Sequence, residues 1–192
     1  MVPVISHLLT AFGLASASGL NAYIPLLIVA LAARFTNFIK LNPPFDILTD
    51  GWIIGVLIVL LVIEIIVDKV PAADTLNDVI QTFVRPTAGA ILFAASTSAI
   101  DLHPILAAIL GLVLAFGVHA VKATARPVVT ASTGGLGNAF VSVGEDVVST
   151  GVSLLAIIVP AVIAFLLILI VAFLLWRLSR RTSPATRHSS LK

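Results

Sequence analysis

Five apolar runs constrain this chain more than any motif in it: about Ile5 to Ala33, Trp52 to Val67, Ala88 to Ile100, Ile105 to Val121 and Val147 to Trp176. Crossing the hydrocarbon core of a bilayer takes about 20 helical residues at about 1.5 Å each. The first and last runs exceed that length and the third falls short of it. Apolar residues make up 59% of the 192 positions and charged residues 10%, against about 45–50% and about 25% in an ordinary soluble domain. The sequence therefore predicts an all-α, polytopic membrane helical bundle of about five spans, with a broken or re-entrant segment and an amphipathic helix besides. Residues 1–176 read as one membrane domain and 177–192 as a basic tail, expected to be disordered. A soluble enzyme on a single anchor, a disordered chain and a nucleic-acid-binding domain are excluded. Cysteine is absent, which removes disulfides, thiolate metal sites, iron–sulfur clusters and cysteine nucleophiles.

Asp101-Leu102-His103-Pro104 separates the third and fourth runs, and a proline there can open the next helix, so the two read as a tight helical hairpin. The tail carries Arg177, Arg180, Arg181, Arg187 and Lys192 with no acid among them, which predicts a cytoplasmic C-terminus. Five spans then put the N-terminus outside and the loop with Arg34 and Lys40 on the cytoplasmic side. Nothing at the N-terminus reads as a cleavable signal, since no Lys or Arg precedes Arg34 and the apolar run is too long. Two outer stretches, 68–85 and 122–146, each contain two basic residues, against the rule, and are expected to fold back into the protein. The uncharged segment 128–143 is short for a sixth crossing and contains Gly134, Gly135 and Gly137, so a broken or re-entrant element is expected there. Trp52 and Trp176 stand at span edges as interface anchors, and Gly51 with Gly55 has the spacing of a helix-packing face.

A short internal resemblance links Ala15–Tyr23 to Ala131–Phe140: a run of small residues followed by Asn-Ala-aromatic, with one residue inserted in the second copy. Paired interruptions in two halves of a membrane chain point to a transporter site built on a repeat.

The charges are clustered. Glu64, Asp68, Asp74 and Asp78 lie at and after the end of the second run, and Glu145-Asp146 precedes the last. Glu64 and Asp68 share a helix face, and a carboxylate within an apolar span costs about 2.5–3.5 kcal/mol on insertion scales unless it faces protein or water. Beyond Pro71, residues Ala72 to Val84 read as an amphipathic helix whose polar stripe is Asp74, Asp78, Gln81 and Arg85. His119, Lys122 and Arg126 form a second, basic stripe at spacings of three and four. Pro86 and Pro127 follow Arg85 and Arg126, which disfavours helix at each arginine and places both near a helix break. The two stripes are expected to meet inside the bilayer.

Gly-x-Ser-x-Gly, His-Glu-x-x-His and the Gly-rich phosphate loop are all missing. Asp74-x-x-x-Asp78 is a spacing that could hold Mg²⁺ against a diphosphate and resembles half of the motif of membrane prenyltransferases. Across most of the chain the polar pattern resembles a family of bacterial membrane proteins, the domain-of-unknown-function family 4126. The resemblance rests on Gly19-Leu20-Asn21-Ala22-Tyr23-Ile24-Pro25 and on Glu64 followed by Asp68-Lys69-Val70-Pro71, Asp74 and Asp78. It continues through Arg85-Pro86-x-Ala88-Gly89, His119-x-x-Lys122-x-x-x-Arg126, Asn138, Ser142 and Glu145-Asp146. It implies a compact multi-pass inner-membrane protein and supplies no activity.

The leading expectation is a small channel or secondary transporter for an ion or small polar solute. Its pathway would be lined by Glu64, Asp68, Asp74, Asp78, Arg85, His119, Lys122, Arg126, Glu145 and Asp146, with Asn21 and Asn138 at helix breaks beside it. Carboxylates beside Lys and His suit proton coupling. Five spans are few for a transporter, which suggests a homodimer in the lipid bilayer. No cofactor is called for by this reading. One alternative is a membrane enzyme acting on a phosphorylated lipid, with Asp74 and Asp78 holding Mg²⁺ and Arg85, Lys122 and Arg126 gripping phosphate. Another is a non-catalytic membrane partner protein in which the ion network only sets helix register.

Overall fold

A computed structural model describes residues 2–68 and 71–181; the side chains of 2–3, 71–76, 78 and most positions after Pro160 lie outside the description. The chain runs α1 (Val2–Leu20), α2 (Tyr23–Phe35), a 3-10 turn (Phe45–Thr49), α3 (Gly51–Val67), α4 (Pro71–Thr97), α5 (Pro104–Thr133) and α6 (Leu136–Arg181). Within the described residues, Val79–Thr97, Pro104–Thr133 and Leu136–Pro160 are long and apolar enough to cross a membrane, and Val4–Leu20, Tyr23–Phe35 and Gly51–Val67 are shorter apolar helices. At about 1.5 Å per residue the 46-residue α6 extends about 69 Å, more than twice the thickness of the hydrocarbon core.

The distribution of side chains is inverted relative to a water-soluble protein. Glu64, Arg85, Gln81, His119, Lys122 and Arg126 are buried, while Trp52, Phe83, Phe140 and Val128 are largely exposed. Such an exterior suits a lipid surround. At the centre lies α1, packed against α4, α5 and α6. Its inward positions are Ala11, Leu14, Ala15, Ala17 and Ser18, mostly small, which suits packing where close backbone approach replaces the hydrophobic effect.

Several local expectations change. The first apolar run is split at Asn21-Ala22, where the Asn21 Oδ1 accepts from the backbone N–H of Tyr23 and Ile24, both at 3.0 Å. That bonding starts α2 afresh. The amphipathic segment and the third span are one helix, α4, with Pro86 inside it, and Pro127 likewise lies inside α5. Arg85 and Arg126 are therefore helical and stand at no break. Local X-Pro strain is overridden here, as it often is where neighbouring helices hold a segment in place. The broken element at 128–143 is the corner between α5 and α6, where Gly134 (φ 62°) and Gly135 (φ 89°) take the left-handed conformation. The hairpin turn after α4 is as expected, with Pro104 opening α5 and the His103 Nδ1 accepting from the Ile105 N–H at 3.3 Å.

Gly51 and Gly55 do not form a packing face: a methyl at Gly55 would meet open space, and Gly51 faces the Arg34 guanidinium. The close crossing is between Gly89 of α4 and Gly111 of α5, where a methyl on Gly111 would fall on the Gly89 backbone carbonyl. Gly111→Ala is accordingly expected to destabilise the protein by about 1–3 kcal/mol, and Gly55→Ala to change stability by less than about 0.5 kcal/mol. Thermal unfolding of the purified variants checks the contrast.

Candidate functional site: a buried ion network at a helix break

One end of the bundle gathers the end of α1, the start of α2, the end of α3, the first half of α4, the second half of α5 and the start of α6. The stripe on α5 forms its spine, because His119, Lys122 and Arg126 all turn inward and are buried. Each meets a partner from a different helix.

On the α3–α4 side, the Arg85 Nη2 donates to the Glu64 Oε1 at 3.0 Å, with both side chains essentially inaccessible. The Arg85 Nη1 lies 3.3 Å from the His119 Nδ1. A guanidinium only donates, so Nδ1 accepts, and the proton of a neutral ring sits on Nε2. That nitrogen is 3.0 Å from the Thr82 Oγ1. The Glu64 Oε2 and the Arg85 Nε are buried with no hydrogen-bond partner among the described residues. A buried polar atom costs about 1–3 kcal/mol unless a partner reaches it.

On the α6 side, the Arg126 Nη2 approaches the Asp68 Oδ2 at 3.5 Å and the Glu145 Oε2 at 3.7 Å, and donates to the Ser142 Oγ at 2.9 Å. The Ser142 hydroxyl passes a hydrogen bond on to the Asp68 Oδ2 (3.4 Å), while the Asp68 Oδ1 accepts from the Asn77 Nδ2 (2.7 Å). The Lys122 Nζ sits 2.6 Å from the Glu145 Oε2 and 3.4 Å from the carbonyl of Leu20, the last residue of α1. A cation at a helix C-terminus is favoured by the exposed carbonyls there. Beside it, the Asn21 Nδ2 donates to the Asp146 Oδ1 at 2.9 Å. Asn21 thus caps α2 with its oxygen and ties α6 to the break with its nitrogen.

The structure brings together Asn21, Glu64, Asp68, Arg85, His119, Lys122, Arg126, Glu145 and Asp146. Asn138, in the first turn of α6, exchanges hydrogen bonds with Thr130 across the α5–α6 corner, and Thr130 in turn donates to the Arg126 carbonyl. The junction thus falls at Asn21-Ala22 in the first copy of the internal resemblance and at Gly134-Gly135 in the second, so the two asparagines do different work. Asp74 and Asp78 lie on α4, and their side chains lie outside the described residues. Asn77 and Thr82 were not singled out from the sequence. Asn77 sits four residues before Gln81 and eight before Arg85, a spacing that puts all three on one helix face. Among the described residues no three His, Asp or Glu side chains are grouped as a metal site needs.

The fold and the site define a polytopic helical membrane protein organised around a buried ion network. The chain belongs to the family described as Domain of unknown function (DUF4126), whose model matches residues 8–181. No curated protein and no solved structure matches it.

Proposed function

We propose that this chain is a small secondary transporter in which the network is a polar pathway in its closed state. The observation that carries the reading is the buried run of charges from Glu64 and Asp68 through Arg85, Lys122 and Arg126 to Glu145, gathered at a discontinuous helix. A helix break at a charged site is how membrane transporters present backbone and side-chain groups to solutes. Buried charges pair closely when the site is closed and are hydrated when it opens, which supplies the energy difference between two states. Carboxylates flanked by Lys122 and His119 can then release and take up protons as their surroundings alternate. The transporter is proposed to be a homodimer in a bacterial inner membrane, with the basic tail cytoplasmic.

The register-fixing reading rests on the same paired bonds. The lipid-enzyme reading rests on Asp74 and Asp78. Flux assays on purified protein in liposomes separate the three. Proton or solute flux above protein-free liposomes, reduced at least tenfold in Arg126→Gln, is the expected result. Mg²⁺-dependent turnover of a lipid phosphate without flux would replace transport by the enzyme reading.

A further inference from the structure

A groove of about 610 Å³ runs between α2, α3 and α6 toward the network. Its walls are Ile24, Leu27, Ile28, Leu61 and Ile65, and Asp146 stands among them. Thr150, the other polar residue of the lining, turns its hydroxyl to the carbonyl of Asp146 at 2.8 Å. The groove is therefore an almost wholly apolar wall with one acidic residue, Asp146, in its lining.

The charge balance of the site indicates what that carboxylate is for. Among the described side chains, Glu64 faces Arg85, Asp68 faces Arg126, and Glu145 faces Lys122, whereas Asp146 has only the neutral amide of Asn21. The acid left over is the one that stands in the lining of the groove. Lys122 and Arg85 lie within electrostatic reach of it, as does Asp68, but each of these cations already has its own acid. An anionic amphiphile would meet a surplus negative charge here. A neutral one could donate a hydrogen bond but would leave the charge unmatched. A cation with an apolar body would match both the wall and the charge, because an ion pair formed away from bulk water is worth more than one in it.

We propose that the groove between α2, α3 and α6 binds lipophilic organic cations, with Asp146 as the counter-ion. This rests on the transport reading and names its substrate class. The test uses the full-length protein in phosphatidylcholine nanodiscs, with tetraphenylphosphonium as probe and tetraphenylborate as its anion of matching shape, each read against empty discs. Saturable tetraphenylphosphonium binding is expected, weakened at least tenfold in Asp146→Asn, with no saturable tetraphenylborate binding. Should Asp146→Asn fail to fold, Gly151→Leu decides: a Cβ there meets open space in the lining of the groove, so the added side chain is expected to obstruct the groove with the carboxylate retained and to cause the same loss. Equal binding of both probes, binding indifferent to Asp146→Asn and Gly151→Leu, or no saturable binding at all would overturn the proposal. Binding is read at equilibrium and transport as flux. Cation binding without any flux would uphold this site and end the transport reading, and flux without cation binding would do the reverse.

Discussion

Glu64→Met is expected to lower stability by about 3–5 kcal/mol, and the double variant Glu64→Met, Arg85→Met to recover most of that loss. The single change leaves the Arg85 guanidinium buried beside an apolar side chain, which is the costly case for a broken buried ion pair. The double change removes both charges and substitutes unbranched side chains of comparable length. Buried pairs replaced in this way are often neutral or stabilising, and here the replacement also removes the orphaned Glu64 Oε2 and Arg85 Nε. What it takes away is the donor to the His119 Nδ1, though His119 keeps Thr82, so recovery should stop short by about 1 kcal/mol. Reversible unfolding of the purified proteins in detergent, run as a double-mutant cycle, gives the coupling. Two single losses that simply add would mean that the pair is not coupled.

Lys122→Met should be comparably severe, costing about 3–5 kcal/mol, but its damage reaches a different place. It leaves Glu145 with only the longer 3.7 Å approach of Arg126, and it removes the cation from the Leu20 carbonyl. The α1–α2 break would lose one of the side chains that fasten it, Asn21 remaining. Hydrogen exchange at Tyr23 and Ile24 should therefore rise more in Lys122→Met than in Glu64→Met, whose pair makes no bond to the Leu20 carbonyl. Adding Glu145→Gln to Lys122→Met should recover stability and leave the raised exchange, since the amide cannot replace a cation at the end of α1. Unchanged exchange in Lys122→Met would separate the lysine from the break.

What the sequence made legible followed from periodicity. The α5 stripe of His119, Lys122 and Arg126, the Glu64/Asp68 pair and the helical hairpin at Pro104 all depend on contacts within a few residues, where helix geometry alone sets which side chains share a face. The partners did not follow in the same way. Lys122 reaches a backbone carbonyl at Leu20, and a carbonyl leaves no mark in sequence. Asn21 was placed at a helix break, but its division of labour between capping α2 and holding Asp146 needs α6 in position. At the arginine–proline pairs the local penalty is smaller than the packing that overrides it, and that packing leaves no mark next to the prolines. Gly51 and Gly55 had the familiar spacing and no neighbour to pack on, whereas Gly89 and Gly111 sit on different helices and have no spacing to notice. Asn77 and Thr82 are ordinary polar residues until Asp68 and His119 are set against them.

A pathway role for the buried charges differs from a register-fixing one in what crosses the bilayer. Proton flux through liposomes under an imposed pH gradient, measured for wild type and for the Glu64→Met, Arg85→Met protein after their stabilities have been shown to match, tests it most directly. Flux in the wild type that falls to the protein-free level in the double variant is the predicted result. Equal flux from the two proteins, or none from the wild type, would contradict it.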